Sequence, residues 1–359
     1  MTSGQLAIFT EANRPLRLEE HPTPDLAKGE ILARVTLCTL CGSDLHTFQG
    51  HRTTPVPTVL GHEILGTVIE SSGEVQSFDG KTVGVGDRIT WTIAASCGRC
   101  FYCERGLPQK CESLLKYGHA PITEDWVFNG GLGEYCHLKP GTSIHHVPVE
   151  LGDEAACPVN CATATIAAAL RRAESVDRRT VLVQGAGMLG VTACAMAQTL
   201  GAQKILVADT NPIRLERALE FGATHTLDAN MGDEIVHRIR ELTHGHGADL
   251  ALELTGSLDS VRIGLDCLRI GGEAIWVGTT HPTEPVKVFP ETVVRRMLAV
   301  RGVHNYTPSD LDFALRFLEE NHRRFPFSAL VEKTFSLSQV NEAFDFAIDS
   351  RPFRIGIRP

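Results

Sequence analysis

Four cysteines fall within fifteen residues in the stretch CGRCFYCERGLPQKC, at Cys97, Cys100, Cys103 and Cys111. The spacing C-x2-C-x2-C-x7-C lets four thiolates fill a tetrahedral zinc shell and leave no position open, the mark of a metal that braces a loop. Gly98 and Gly106 help the short loops turn back on the ion. A pair of disulfides is the alternative, and it suits an oxidising compartment.

A second set of metal-capable residues is dispersed. CGSDLH supplies Cys41, Ser43, Asp44 and His46, GHE supplies His62 and Glu63, and NCATAT supplies Cys161. A Cys/His/Cys set would bind zinc and keep a fourth position for water or substrate, as catalytic zinc sites do. Spacing alone does not show that these residues meet. A third feature, GAGMLG, places Gly185, Gly187 and Gly190 where an apolar strand turns into a helix. Glycines there allow a tight turn and close approach of a pyrophosphate to backbone amides at a helix N-terminus. Asp209 ends the next strand, where an acid accepts hydrogen bonds from the adenosine ribose and repels a 2′-phosphate. NAD is therefore expected over NADP, with Arg214 the nearest cation that could speak for the phosphate.

These residues need two kinds of scaffold. The first 150 residues read as strands cut by turn signals, with EILARVTL from Glu30 and EILGTVIE from Glu63 as the clearest. Near Asp153 the pattern changes, and EAACPVNCATATIAAALRRA reads as helical. From Thr180 short apolar runs alternate with amphipathic segments: TVLVQ, MLGVTACAMAQTLGA, KILVADT, NPIRLERALEFGA, ADLALELTG, SLDSVRIGLDCLRIGG and EAIWVGTT. Such alternation predicts an α/β, doubly wound parallel sheet. LAVRGVH reads as its last strand, and PSDLDFALRFLEEN as a helix after which the chain returns to the first domain.

Composition excludes several functions. The 359 residues are 43% hydrophobic and 21% charged, enough for two domains with ordinary cores. A net charge of −9, with signs interspersed, argues against a nucleic-acid or anionic-membrane surface. No apolar run is long enough for a spanning helix, and the N-terminus lacks a secretory pattern. With eleven cysteines, an odd number, the chain is expected in a reducing cytoplasm, where clustered thiols hold metal. Cys38, Cys136, Cys157, Cys194 and Cys267 read as core residues, and the histidines at 145–146 and 244–246 as solvated loops.

In the order CGSDLH, GHE, the four-cysteine lobe, NCATAT, GAGMLG with Asp209, and a terminal PFRIGI, the chain resembles the zinc-containing medium-chain dehydrogenase/reductases, the alcohol dehydrogenases and their polyol and threonine relatives. The resemblance implies a mainly β, GroES-like catalytic domain over residues 1–158, a Rossmann NAD-binding domain over 159–304, and a return to the first domain over 305–359. It implies one catalytic and one structural zinc per chain. Cys41, His62 and Cys161 would hold the catalytic ion, with Glu63 a transient or outer ligand and Asp44 holding the far nitrogen of His62. Ser43, the nicotinamide ribose and His46 would relay a proton to solvent from a cleft between the domains. The backbone of Met188 and Leu189 would meet the pyrophosphate, Arg214 the adenosine ribose, Val277 the nicotinamide carboxamide and Arg354 the pyrophosphate. The reaction would be hydride transfer between a small-molecule alcohol and NAD⁺, the alternatives being a polyol, threonine or formaldehyde dehydrogenase, a zinc-ribbon binding protein, or a metal-free relative acting as a sensor. GLPQKCESLLKYGHA and NCATATIAAAL resemble a subgroup proposed to act on phosphonates or cyclic secondary alcohols; His51, Arg52 and Lys116 would be the basic residues a phosphonate needs, or simply exposed charges. Family habit also implies a homodimer or homotetramer through the sheet edge near 280–303.

Overall fold

The computed structural model describes residues 2–280 and 283–359. They form two compact units, one made of 1–164, 307–323 and 327–359, the other of 165–306 and 324–326.

The first unit is built on β-sheet. Among the described residues its largest sheet runs in the order Ile144–His146, Arg88–Trp91, Glu63–Ser71, Ile31–Thr39, Arg354–Arg358 and Val331–Ser336, with Tyr135–Leu138 pairing Ile31–Thr39 out of line. The strand Ile31–Thr39 is buried along almost its whole length, because both faces pack on the apolar core around Leu6, Trp91, Phe128 and Phe344. Its register fixes which chain ends meet. Thr39 pairs with Glu63 and Cys38 with Ile64 on one side, and Thr39 with Gly356 on the other. Residues that follow Thr39, precede Glu63 or precede Gly356 therefore emerge together at one end of the sheet.

The second unit is a parallel sheet in the order His225–Asp228, Lys204–Asp209, Thr180–Gln184, Ala248–Glu253, Leu268–Trp276 and Ala299–Gly302. Helices Met188–Thr199, Pro212–Glu220, Glu234–Leu242 and Leu258–Cys267 join successive strands. The order reverses between Thr180–Gln184 and Ala248–Glu253, which opens a crevice at their carboxyl ends, the place where doubly wound sheets bind ligands.

Two expectations need correction. The helical reading of 154–173 is divided into Asp153–Ala156, a 3-10 turn Cys157–Asn160 and Ala162–Arg172. Pro158 brings no N–H, and Cys161 leaves helical geometry at φ −136, ψ −77, so the break falls at the cysteine itself. His145 is not in a solvated loop. It lies in a strand, is 4% exposed and stacks on Phe78 at 5.0 Å, where burial pushes its imidazole down to about 4. Ser143, two residues before, offers it a hydroxyl at 3.3 Å, an alternation that puts both on the inner face. The 244–246 histidines are exposed.

Candidate metal and cofactor sites

The sheet register gathers the dispersed residues. Cys41 stands two positions beyond Thr39 and caps the short helix Gly42–Phe48, while His62 directly precedes Glu63. Cys161 arrives on the 3-10 turn, which is fastened to the same strands. Cys157 Sγ donates to the carbonyls of Leu37 and Glu63 at 3.2 and 3.3 Å, and Asn160 Nδ2 donates to the carbonyls of His62 and Trp91 at 3.2 and 3.0 Å. One ligand atom each from Cys41, His62, Glu63 and Cys161 then lies within 4.8 Å of the others.

Asp44 organises the front of this cluster. One carboxylate oxygen accepts the Cys41 N–H at 2.9 Å; the other accepts the Gly61 N–H and faces His62 Nδ1, both at 3.2 Å. With Nδ1 engaged, Nε2 is the His62 nitrogen left for a metal, and the carboxylate fixes the ring's tautomer and tilt. Ser43 Oγ lies 3.5 Å from that Nε2, a contact rather than a strong bond. His46 is exposed near the end of the same helix, three residues from Ser43 and so on the same side.

Behind the cluster, Arg354 grips Glu63 with two bonds of 2.7 Å, and its second terminal nitrogen is 3.6 Å from Cys41 Sγ. The terminal strand places it there through the Leu40 N–H to Ile355 carbonyl bond. Thr39 Oγ1 gives Glu63 a further bond of 2.6 Å. Glu63 is fully buried and Arg354 is 6% exposed, so the pair is sealed from water. Burial pushes the Glu63 carboxyl up and Arg354 opposes it; the guanidinium itself is held firmly charged.

The electrostatics favour a cation at the centre. A hydrogen bond from the Cys161 thiol holds Cys41 well below the ordinary thiol range; burial opposes this, and Arg354 and His62 add to it. The same bond, with burial, pushes Cys161 up. Burial works against a charged His62, yet Asp44 and Cys41 overturn it and lift the ring to about 10. Two sulfurs, an imidazole nitrogen and a carboxylate are donors zinc accepts, and the protons they hold are those a metal would displace.

The four-cysteine lobe is a separate cluster, its ligand atoms also within 4.8 Å of one another. The backbone N–H groups of Glu112 and Cys103 hold Cys100 down to about 6, so it is already a thiolate near neutrality. Cys111 Sγ accepts the N–H groups of Cys97 and Ser113 at 3.2 and 3.4 Å. All eleven cysteines, each among the described residues, are unbridged.

In the second unit the glycine turn is sterically defined. A Cβ on Gly190 would sit 1.9 Å from the Gly185 carbonyl oxygen, so no other residue fits. Gly187, by contrast, faces open space, and the first atom a Cβ there would meet is the Arg214 guanidinium at 3.9 Å. That space is where a phosphate could approach the N-terminus of Met188–Thr199. Asp209 closes the turn, accepting the Ala186 N–H at 2.6 Å and the Asn211 N–H at 2.8 Å. Met188 is buried and Leu189 half-buried; Val277 is buried just past its strand, its N–H on the Glu253 carbonyl at 2.9 Å.

Sequence reasoning missed Thr39, Asn160 and His119, whose buried ring lies 4.8 Å from the His62 ring. Asn160 adjoins Cys161 in sequence, a signal that could have been used; Thr39 and His119 carried none.

The chain matches two protein families: the alcohol dehydrogenase GroES-like domain over residues 27–169 and the zinc-binding dehydrogenases over 189–320. It is 28% identical to the sorbitol dehydrogenase of Halalkalibacterium halodurans, covering 95% of both chains. It is 28% identical to the L-threonine 3-dehydrogenase of Alteromonas mediterranea, covering 94% of both. The crystal structure of an alcohol dehydrogenase from Thermotoga maritima superposes with a TM-score of 0.95 at 28% identity, covering all of both chains. With both families matched in order and the two zinc-competent clusters in place, the chain belongs to the zinc-type medium-chain dehydrogenase/reductases, a family of alcohol oxidoreductases.

Proposed function

We propose that the chain oxidises an alcohol with NAD⁺ at a zinc held by Cys41, His62 and Cys161, with Glu63 and Asp44 as supporting groups. The observation that carries this reading is the convergence of Cys41, His62, Glu63 and Cys161 within 4.8 Å, in a mixed donor set that three protein ligands can satisfy with one position to spare. When bound, zinc supplies Lewis acidity toward the hydroxyl oxygen and NAD⁺ the hydride acceptor. Asp44 keeps His62 presenting Nε2, and Arg354 holds the Glu63 carboxylate away from competing for the open position. Ser43 would relay the hydroxyl proton, giving up its own to the nicotinamide ribose, and exposed His46, on the same side of the helix, would pass it from there to water. Gly187 and the amides of Met188 and Leu189 would cradle the pyrophosphate, with Arg214 beside them, and Val277 would meet the nicotinamide. Asp209 favours NAD⁺, since its carboxylate would face a 2′-phosphate. Arg354 spends its guanidinium on Glu63, so in this reading its role is to the metal site first and to pyrophosphate only beyond that.

The substrate is a small alcohol; polyol- or threonine-type oxidation on the same scaffold is the alternative. Elemental analysis should give two zinc ions per chain, and an NADH-absorbance assay over secondary, cyclic, polyol and phosphonate-bearing alcohols should find turnover faster with NAD⁺ than NADP⁺. One zinc per chain, or NADP⁺ preference, would overturn the corresponding assignment. A homodimer or homotetramer is also proposed, through the edge strand Ala299–Gly302. Its surroundings expose Phe289, Val294, Met297 and Val300, a patch an unpaired chain would rarely leave in water. Residues 281 and 282 of the expected 280–303 interface lie outside the described residues. Val300→Lys should yield a smaller species by light scattering.

A further inference from the structure

Glu253 ends the strand Ala248–Glu253, at the carboxyl edge where the strand order reverses, and it is 1% exposed. Its side chain closes the turn that follows. Oε1 accepts the N–H groups of Thr255 and Gly256 at 2.7 and 2.9 Å and the Thr255 hydroxyl at 2.6 Å. Three donors on one oxygen suit an acceptor that carries charge. Oε2 is buried with no hydrogen-bond partner, so a proton placed there would find no acceptor.

No cation answers this carboxylate. Asp249, on the same strand, is met by Arg179 and Arg269, and Glu273, on the next strand, by Arg301. Glu253 is more deeply buried than either, yet no Lys, Arg or His among the described residues pairs with it. An unpaired buried charge costs stability, and such violations are kept where they serve a site. The turn that Glu253 closes is wedged between the two landmarks of the cofactor crevice. A Cβ on Gly185, the first glycine of the phosphate turn, would lie 2.9 Å from Thr255 Cγ2, and one on Gly278 would lie 2.3 Å from the Gly256 nitrogen. The Glu253 carbonyl accepts the N–H groups of Val277 and Gly278 at 2.9 and 3.0 Å. Glu253 thus lies under the floor that joins the pyrophosphate turn to the residue expected at the nicotinamide.

We infer that Glu253 supplies a fixed negative charge beneath the cofactor site, and that this charge selects the oxidised cofactor, whose nicotinamide ring is positive, over the reduced one, whose ring is neutral. The inference rests on the reading that this unit holds NAD with its nicotinamide against Val277. Glu253 acts by attraction through the low-dielectric interior, not by contact, since Oε2 is closed off. The neutral ring gains nothing from it, so the difference between the two affinities isolates the charge. An oxidising enzyme benefits, because the reduced product is then held less tightly, relative to the incoming NAD⁺, than a neutral site would hold it.

The test needs binding alone and uses the full-length protein. NADH affinity is read from its fluorescence and NAD⁺ affinity by calorimetry, and the measure is Kd for NAD⁺ divided by Kd for NADH. Glu253→Gln keeps the shape and an oxygen for the three donors but removes the charge; Glu253→Met removes both. In each variant the ratio should rise about tenfold. Two controls disturb the turn and keep the charge, Glu253→Asp and Thr255→Val. In these both Kd values should rise together, with the ratio within about twofold of wild type. A merely structural Glu253 would weaken both cofactors alike in every variant. An unchanged ratio in both neutral variants, with both cofactors still bound, overturns the inference and leaves the NAD reading intact. A wild type that binds neither cofactor overturns both.

Discussion

The two metal-competent clusters are built on opposite plans. The lobe draws all four ligands from residues 97–111, with Cys97 exposed, Cys100 and Cys103 half-buried, and Cys111 buried. Its sulfurs are supported by nearby backbone N–H groups, so local chain geometry suffices to form it. The other cluster spans Cys41 to Cys161, and it exists only because Thr39 pairs with Glu63 and the 3-10 turn docks on the same strands. Both of its carboxylates are tied to other groups: Asp44 to His62, and Glu63 to Arg354 and Thr39. A locally formed site can brace a loop whatever the rest of the chain does. A site assembled by sheet register can hold several groups at fixed separations, which is what a reaction needs.

The sharpest way to break that division of labour is to remove one sulfur from each cluster. Cys161→Ser should lower the zinc content from two per chain to one and reduce kcat/KM about a thousandfold or more, since Lewis-acid stabilisation is worth several kcal/mol. Circular dichroism and melting temperature should change little. The lobe should respond the other way. Cys100→Ser removes a ligand whose site contributes folding energy directly, so melting temperature should fall by roughly 5 °C or more, while the folded fraction keeps kcat/KM within about threefold. Equal loss of turnover in both variants would erase the distinction.

The same contrast explains how much was legible in the amino-acid sequence. The lobe was legible because its spacing lies in one continuous stretch. The parallel sheet was legible because strands such as Thr180–Gln184 are buried throughout, with an apolar centre at Val181–Val183, and alternate with helices. The strand His225–Asp228 was not, because Leu227 is its single buried residue and no pattern marks it. The residue types of the dispersed cluster were visible, but their meeting depends on register, which no local signal encodes. For the same reason the seat of Arg354 on Glu63, 291 positions away, and the bonds from Asn160 to the His62 strand came only from the fold. His145 was misread because paired histidines in a turn-rich region look solvated, whereas strand alternation turns one of them inward.

A smaller effect tests whether the buried charges serve the dispersed cluster. Arg354→Gln leaves Glu63 without its counter-charge in a sealed site, which should cost about 3–5 kcal/mol in urea unfolding. Adding Glu63→Gln should recover much of that stability but not the zinc affinity, because the pair then no longer shapes the site. The lobe's sulfurs are held by backbone N–H groups instead, so a change of this kind should leave them untouched. If the double variant bound zinc at the dispersed site as tightly as wild type, the network behind it would be packing alone.

Acid bears on the comparison because protons compete for the ligands of both clusters, and an acid-induced loss of stability could be credited to metal release alone. His145, in the same unit but at neither cluster, supplies an independent source. Its folded value of about 4 lies below the ordinary 6.5, so the native state binds fewer protons than the unfolded chain between those values. Its contribution is therefore fully present above about pH 6.5 and is lost as pH falls toward 4. At pH 5.5 the loss should be about 1.4 kcal/mol, one pH unit's worth. His145→Phe keeps an aromatic ring against Phe78 and removes the titration, at the cost of an unpartnered Ser143 hydroxyl that is the same at every pH. Urea unfolding at pH 7.5 and 5.5, with zinc in excess, should show the variant losing less stability between the two than wild type by that amount. An equal loss in both would assign the acid sensitivity to the metal ligands, and the two clusters would then have to be separated by their zinc content at each pH.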